Sequence, residues 1–130
     1  MEMSIEFKSD DNTVPYEHVM AEWSRIFITA GERMGKTMKI ANDAARLVKQ
    51  AGFVDVEEKW YKLPVGRWPK DPKLRELGFW NYHYCSQGFE GWAMYLLTRV
   101  MGWSVEEVQV LVARMNEALN DRKVHGYYQV

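Results

Sequence analysis

The sequence predicts an α+β fold in which a small three-stranded sheet is combined with four helices. Four stretches have apolar residues at the three- and four-residue spacing of an amphipathic helix, and three others are rich in β-branched and aromatic residues. The 130 residues are 47% apolar and 14% aromatic, which suits one compact domain. Because we find no repeat, low-complexity tract or linker, residues 1–130 are predicted to form a single domain.

The first half is predicted to contain a short strand, two helices and a long strand. Residues 4–8 alternate enough for a strand, and apolar residues from Tyr16 to Ala30 recur at helical spacing. A second helix is predicted from Ile40 to the terminating Gly52. The segment FVDVEEKWYKLPV, residues 53–65, has the composition of a long strand.

The second half is predicted to contain two helices and a final strand. Asp71 followed by proline is a good N-cap for a helix over residues 72–101, in which Gly78, Gly88 and Gly91 favour a bend or break. Ser104 with Glu107 forms a capping box for the last helix, and residues 127–130 end the chain as a strand.

Charge and composition exclude several classes of partner. Seventeen basic and eighteen acidic residues give a net charge of −1 without a basic block, so nucleic acid is not an expected partner. No apolar stretch is long enough for a membrane span, and the acidic start lacks the features of a signal peptide, which predicts a cytoplasmic protein. One cysteine and three separated histidines predict neither an internal disulfide nor a metal site.

Several motifs in the second half resemble those of a known enzyme family. The chain is similar to the C-terminal portion of LaeA-like fungal class I methyltransferases, and the motifs WPKDP and LTRVxGW are more specific to this group than AGFVDV. This resemblance implies that the sheet is the remnant of a Rossmann-like methyltransferase sheet. The matching segments are residues 51–56, 63–66, 68–72, 77–78, 80–81, 97–100 and 102–104, with His125 and Tyr127.

In that fold, S-adenosylmethionine binds at a glycine-rich turn between a strand and a helix. None of the nine glycines forms such a turn after a predicted strand, so we expect no cofactor and no methyl transfer by this chain alone. The cofactor-binding half of the family is predicted to be absent. Because a truncated sheet leaves an open edge and an apolar face, a homodimer is expected.

The predicted catalytic residues lie between Gly78 and Trp92. On a helix, His83, Gln87 and Glu90 would form one polar stripe, with His83 as a general acid or base whose tautomer is fixed by either neighbour. Phenol donors for a carbonyl oxygen would come from the flanking Tyr82 and Tyr84. The alternative is that the stripe is the solvated side of a surface helix.

Other residues of this segment are predicted to bind an apolar substrate, because the aromatic content exceeds what one core needs. Cys85 is expected to be buried and inert rather than a nucleophile. His125 is expected to make a structural hydrogen bond, and His18 to be solvated. The predicted substrate-binding residues are Trp80, Asn81, Cys85 and Trp92, together with Tyr16 and Trp23 from the first helix.

Three functions remain open from the sequence. The favoured hypothesis is a cofactor-independent isomerase or cyclase acting on an apolar polyketide or terpenoid intermediate of fungal secondary metabolism. The alternatives are a subunit of a split S-adenosylmethionine-dependent methyltransferase and a non-catalytic pseudo-methyltransferase that binds a partner protein. The polar residues at positions 82–85 favour the first, since a scaffold has no need of them.

Overall fold

The computed structural model describes residues 1–130 and confirms the α+β class with four helices. A π-helical turn, Leu96–Val100, continues the third helix directly. No helix has the length and apolar character that a membrane crossing requires. The elements in chain order are α1 Val19–Arg33, α2 Ile40–Gln50, β1 Lys62–Pro64, α3 Pro72–Tyr95, α4 Val105–Asn120 and β2 Tyr127–Gln129.

The helix starts follow the local capping signals. The Asp71 carboxylate accepts a hydrogen bond of 2.9 Å from the backbone N–H of Leu74 at the start of α3. At α4, Ser104 and Glu107 form the reciprocal capping box, with bonds of 3.1 and 2.7 Å.

α1 begins later than predicted, because His18 acts as its N-cap. The His18 imidazole accepts from the N–H of Met20 at 3.2 Å, so the prediction of a freely solvated histidine was wrong.

The predicted three-stranded sheet was wrong, because only β1 and β2 pair as an antiparallel ladder. Residues 4–8 contribute a single bridge, between Lys8 and Tyr127. The N–H of Phe7 donates instead to the hydroxyl of Ser24 on α1 at 3.0 Å. This side-chain hydrogen bond takes the middle of the segment away from β2, and the sheet stays two-stranded.

The long strand predicted over residues 53–65 was also wrong. β1 is limited to three residues. Backbone hydrogen bonds continue the pairing by one residue at each end: Tyr61 and Val130 exchange bonds of 2.8 and 3.0 Å, and Val65 donates to Gly126 at 3.0 Å. Residues 53–60 have no neighbouring strand, and Asp55 adopts a left-handed φ of +55°. Val54 is 83% exposed. Strand propensity alone does not form a strand where no backbone partner lies alongside.

The core lies between α1, α3 and α4, with β2 covering one end. Trp23 of α1 stacks on Phe27 at 4.4 Å and contacts Phe89 of α3 at 4.8 Å. α3 is continuous through its three glycines. Gly78 is required for packing, because its carbonyl accepts the N–H of Gly66 at 2.9 Å and a Cβ there would collide with the Gly66 carbonyl.

α2 lies apart from this core, with no Cα atom within 8 Å of another helix or strand. Its only buried residue is Ala41, whereas Leu47 and Val48 are about two-fifths exposed. Together with residues 56–61, the apolar side of α2 forms an open groove of 720 Å³. We call this surface the α2 groove; it is lined mainly by Ile40, Ala41, Ala44, Ala45, Leu47, Val48, Val56, Trp60, Tyr61 and Val130.

Candidate functional site

The predicted catalytic stripe lies on the outer side of α3. His83 is partly buried, and its ring packs edge-on against Phe79 at 4.6 Å and Tyr82 at 5.2 Å. Gln87 and Glu90 are exposed, and neither makes a hydrogen bond to His83. The stripe therefore places its members on one face without the contact that was expected to fix the His83 tautomer.

The two tyrosines that flank His83 point to different surroundings. The Tyr82 hydroxyl donates a hydrogen bond of 2.8 Å to the side chain of Asn120 on α4. Tyr84 is 56% exposed and packs against Trp92 at 5.1 Å. The phenol groups of Tyr82 and Tyr84 therefore do not converge on one position beside His83.

Asn81 and Cys85 lie beneath the stripe in a buried polar cluster. The Asn81 amide donates to the carbonyl of Pro64 at 2.8 Å, and its oxygen accepts from the Tyr128 hydroxyl at 2.5 Å. The Cys85 thiol is 3.7 Å from the same oxygen. Burial raises the pKa of Cys85 to about 12, which keeps the thiol protonated and unreactive at neutral pH.

The remaining predicted substrate-binding residues are scattered over the molecule. Trp23 is 1% exposed and belongs to the core. Tyr16 is 70% exposed, with the guanidinium of Arg25 3.8 Å from its ring centroid. Trp80 is 63% exposed, and among the predicted residues it alone lines one of four main grooves of 250 to 720 Å³. The structure does not gather Tyr16, Trp23 and Trp80 around one cavity.

A second group of polar side chains connects the start of the chain to β2. The Asp11 carboxylate lies 2.5 Å from Nδ1 of His125 and accepts the hydroxyl of Thr13 at 2.8 Å. The hydrogen bond to His125, followed by that from Thr13, lowers the pKa of Asp11 to about 2. The structural hydrogen bond expected of His125 is thus present. Its partner could not be predicted from local pattern, because Asp11 lies 114 positions away.

The neighbouring Asp10 makes a parallel set of contacts. It pairs with Lys62 of β1 at 2.5 Å and accepts the Tyr127 hydroxyl at 2.9 Å. The hydrogen bond from Lys62, and then that from Tyr127, lowers the pKa of Asp10. Through these contacts, Asp10 and Asp11 connect residues 9–13 to β1, to β2 and to His125 just before β2.

The described residues offer no preformed place for a metal or for S-adenosylmethionine. No three His, Cys, Asp or Glu side chains converge as metal ligands. The connection from β1 to α3 contains one glycine, Gly66, and the Asp71 carboxylate accepts the backbone N–H of Leu74 at the start of the helix. Because this connection does not fit the cofactor, we derive no chemical step through it.

Comparison with known proteins identifies relatives along almost the whole chain. The probable methyltransferase tdiE of Emericella nidulans is 31% identical over 129 residues, which are 99% of this chain and 41% of tdiE. Methyltransferase pytC of Aspergillus terreus is 36% identical over 120 residues, covering 92% of this chain and 37% of pytC. The secondary metabolism regulator LAE1 of Cochliobolus heterostrophus is 28% identical over 131 residues, covering all of this chain and 43% of LAE1.

No protein-family model and no solved structure matches the chain. The chain spans less than half the length of each of these relatives, which is consistent with the C-terminal portion inferred from its motifs. The resemblance found in the sequence is thereby confirmed: this chain is homologous, over nearly all its residues, to part of the LaeA-like fungal methyltransferases.

Proposed function

We propose that this chain is the part of a LaeA-like methyltransferase that does not bind the cofactor, and that it works in fungal secondary metabolism together with an S-adenosylmethionine-binding unit. That unit belongs either to the same polypeptide or to a second chain, the split-enzyme alternative. The observation that best supports this proposal is the open α2 groove. The part of tdiE that this chain does not match is longer than the chain itself. We infer that a unit equivalent to that part covers the groove.

The groove has the character of an interface rather than of an ordinary surface. Leu47, Val48, Trp60 and Tyr61 are between 39% and 63% exposed and lie side by side. Large contiguous apolar patches on soluble proteins usually mark interaction sites. Covering apolar area contributes about 25 cal/mol per Å², which favours a unit that packs on α2.

The experiment is a chimera in which this chain replaces the segment of tdiE that it matches. We expect calorimetry to show that the chimera binds S-adenosylmethionine and the isolated chain does not. Val48→Asp should weaken cofactor binding and lower the melting temperature of the chimera, because it places a charge in the α2 groove. Val110→Asp is the matched control, since Val110 is 60% exposed on α4, away from the groove.

The outcomes separate the alternatives. Cofactor binding by the isolated chain would contradict the proposal, as would an equal effect of the two aspartate variants. A stably folded chimera that binds no S-adenosylmethionine would favour the non-catalytic pseudo-methyltransferase.

The cofactor-independent isomerase or cyclase is the second candidate. The specific observation in its favour is the environment of His83, whose ring lies among Phe79, Trp80 and Tyr82 and makes no hydrogen bond. An unengaged imidazole beside aromatic rings suits proton transfer to an apolar substrate. It ranks second because His83 lines none of the four main grooves.

A further inference from the structure

The Asp11–His125 pair is held in one orientation by a closed set of hydrogen bonds. Thr13 donates its hydroxyl to Asp11 at 2.8 Å and accepts the backbone N–H of His125 at 2.9 Å. Asp11 in turn engages Nδ1 of the imidazole at 2.5 Å. The ring is therefore fixed, and its other nitrogen, Nε2, has no hydrogen-bond partner.

His125 borders a groove of 450 Å³ that differs from the α2 groove in its chemistry. The indole of Trp68 lies 5.4 Å from the imidazole and is fixed by its Nε1–H, which donates to the carbonyl of Gly126 at 3.1 Å. Apolar side chains line one part of the groove and charged side chains another. The lining residues are Val65, Gly66, Arg67, Trp68, Leu119, Asn120, Asp121, Arg122, Val124 and His125.

The charged residues of this groove favour an anion. Arg67 and Arg122 both line it, and neither forms an ion pair with a carboxylate of the protein. The guanidinium of Arg67 lies 4.4 Å from the centroid of the Phe79 ring, so its only contact of this kind is with an aromatic face. The one carboxylate in the lining, Asp121, accepts the backbone N–H of Lys123 at 2.9 Å. Arginine side chains donate hydrogen bonds in the planar geometry that suits a carboxylate.

We propose that this groove is a binding site for a small aromatic carboxylate, which Arg67, Arg122 and Nε2 of His125 hold while Trp68 packs against its ring. This site is independent of the methyltransferase proposal, because every residue in it belongs to this chain and none lines the α2 groove.

The proposed ligand also sets the protonation state of His125. A ligand carboxylate only accepts hydrogen bonds, and Nδ1 of His125 already donates to Asp11. Nε2 can therefore donate to the ligand only from a protonated imidazole.

The direct test is a titration of the chain with benzoate, followed by nuclear magnetic resonance, with benzamide as the neutral probe of equal shape. We expect benzoate to shift the His125 imidazole and Trp68 indole signals saturably in the millimolar range, and benzamide to have no such effect. His125→Gln and Arg122→Gln should each weaken benzoate binding about tenfold, as expected for the loss of a charged hydrogen bond. Arg99→Gln is the control, because Arg99 is an exposed arginine outside the groove.

The pH dependence of binding gives a second readout. Benzoate should bind more tightly at acidic than at alkaline pH in the unmodified chain, and equally at both in His125→Gln, because an imidazole whose Nδ1 donates to Asp11 has a proton on Nε2 only in its protonated form. The charged groups that face the imidazole or line the groove are Asp11, Asp121, Arg67 and Arg122. Absence of saturable shifts, equal binding of benzamide, or full binding by Arg122→Gln would overturn the proposal.

Discussion

Asn81 is the side chain on which the buried polar contacts of α3 converge. Its amide group connects α3 to β1 through Pro64 and to β2 through Tyr128, at 2.8 and 2.5 Å. Cys85 lies one helical turn further along the same side of α3. Burial raises the pKa of Cys85 and of Tyr128, which keeps both of these neighbours of Asn81 neutral. Asn81 was predicted to bind substrate, and in the structure it satisfies protein groups instead.

This burial predicts how stability changes at alkaline pH. The Cys85 thiol has a reference pKa of 9.0 and a folded value of about 12, so above pH 9.0 the unfolded chain loses a proton that the folded chain retains. The free energy of unfolding should therefore fall as pH rises from 9.0 towards 12. Urea unfolding at a series of pH values should show a shallower fall for Cys85→Ala. Parallel curves for the two proteins would contradict the assigned burial.

The isomerase or cyclase hypothesis makes its prediction at His83. General acid–base assistance typically contributes about 100- to 10,000-fold, so His83→Ala should lower turnover of the natural substrate within that range while circular dichroism is unchanged. Lys73→Gln, a change at an exposed position in the first turn of α3, is the control. Equal, small effects of both changes would show that the stripe is only a solvated helix face.

At the scale of the elements, α3 combines two kinds of glycine in one continuous helix. Gly78 lies against the loop after β1, where Gly66 donates its N–H to the Gly78 carbonyl at 2.9 Å. At Gly91 a Cβ would meet nothing within 4 Å. The same residue type is therefore a packing requirement at one position and an entropic cost at the other.

These two positions predict opposite effects of one substitution. Gly91→Ala should stabilise the protein by about 0.5–1 kcal/mol, because alanine restricts the unfolded chain and fits the helix. Gly78→Ala should destabilise it by about 1–3 kcal/mol, because the new methyl group forces α3 away from the Gly66 carbonyl. Denaturant melts of both variants test this pair. Stabilisation by Gly78→Ala would show that the loop moves aside without cost.

The elements that sequence reasoning predicted correctly are those with local causes. Asp71 and Ser104 cap helices through bonds within three residues, so their patterns specify α3 and α4 directly. Residues 53–60 lie beside no strand, and residues 4–8 form one bridge to β2, because strand pairing depends on distant residues that local composition does not specify. The Asp11–His125 pair was missed for the same reason, because its members lie 114 positions apart.

At the scale of the whole molecule, one apolar face is left uncovered, and we expect this face to determine how the chain associates. The α2 groove lies outside the three-helix core, and no Cα atom of α2 lies within 8 Å of another helix or strand. The expected homodimer is therefore retained as a proposal, with the groove as the surface through which isolated chains associate when no cofactor-binding unit covers it.

Light scattering tests this association. The isolated chain should have at least twice the mass of the 15.3 kDa monomer, and Val48→Asp should shift it towards the monomer while Val110→Asp does not. A monomer that persists at high protein concentration would contradict association through this face.

The hydrogen bonds between the first and last segments imply an order of local opening. Ser4 donates to Gln129 at 2.8 Å, and Lys8 exchanges bonds with Tyr127 at 2.8 and 2.9 Å, so each contact closes a loop that contains nearly the whole chain. Terminal segments open locally at a lower free energy than core helices, because fewer buried contacts hold them. Backbone amides of Lys8 and Tyr127 should therefore exchange with deuterium faster than those of Phe89 and Leu97 in the core. Opening at this point would also release Asp11 from His125, so the exchange rate of these amides reports how often the imidazole loses its support.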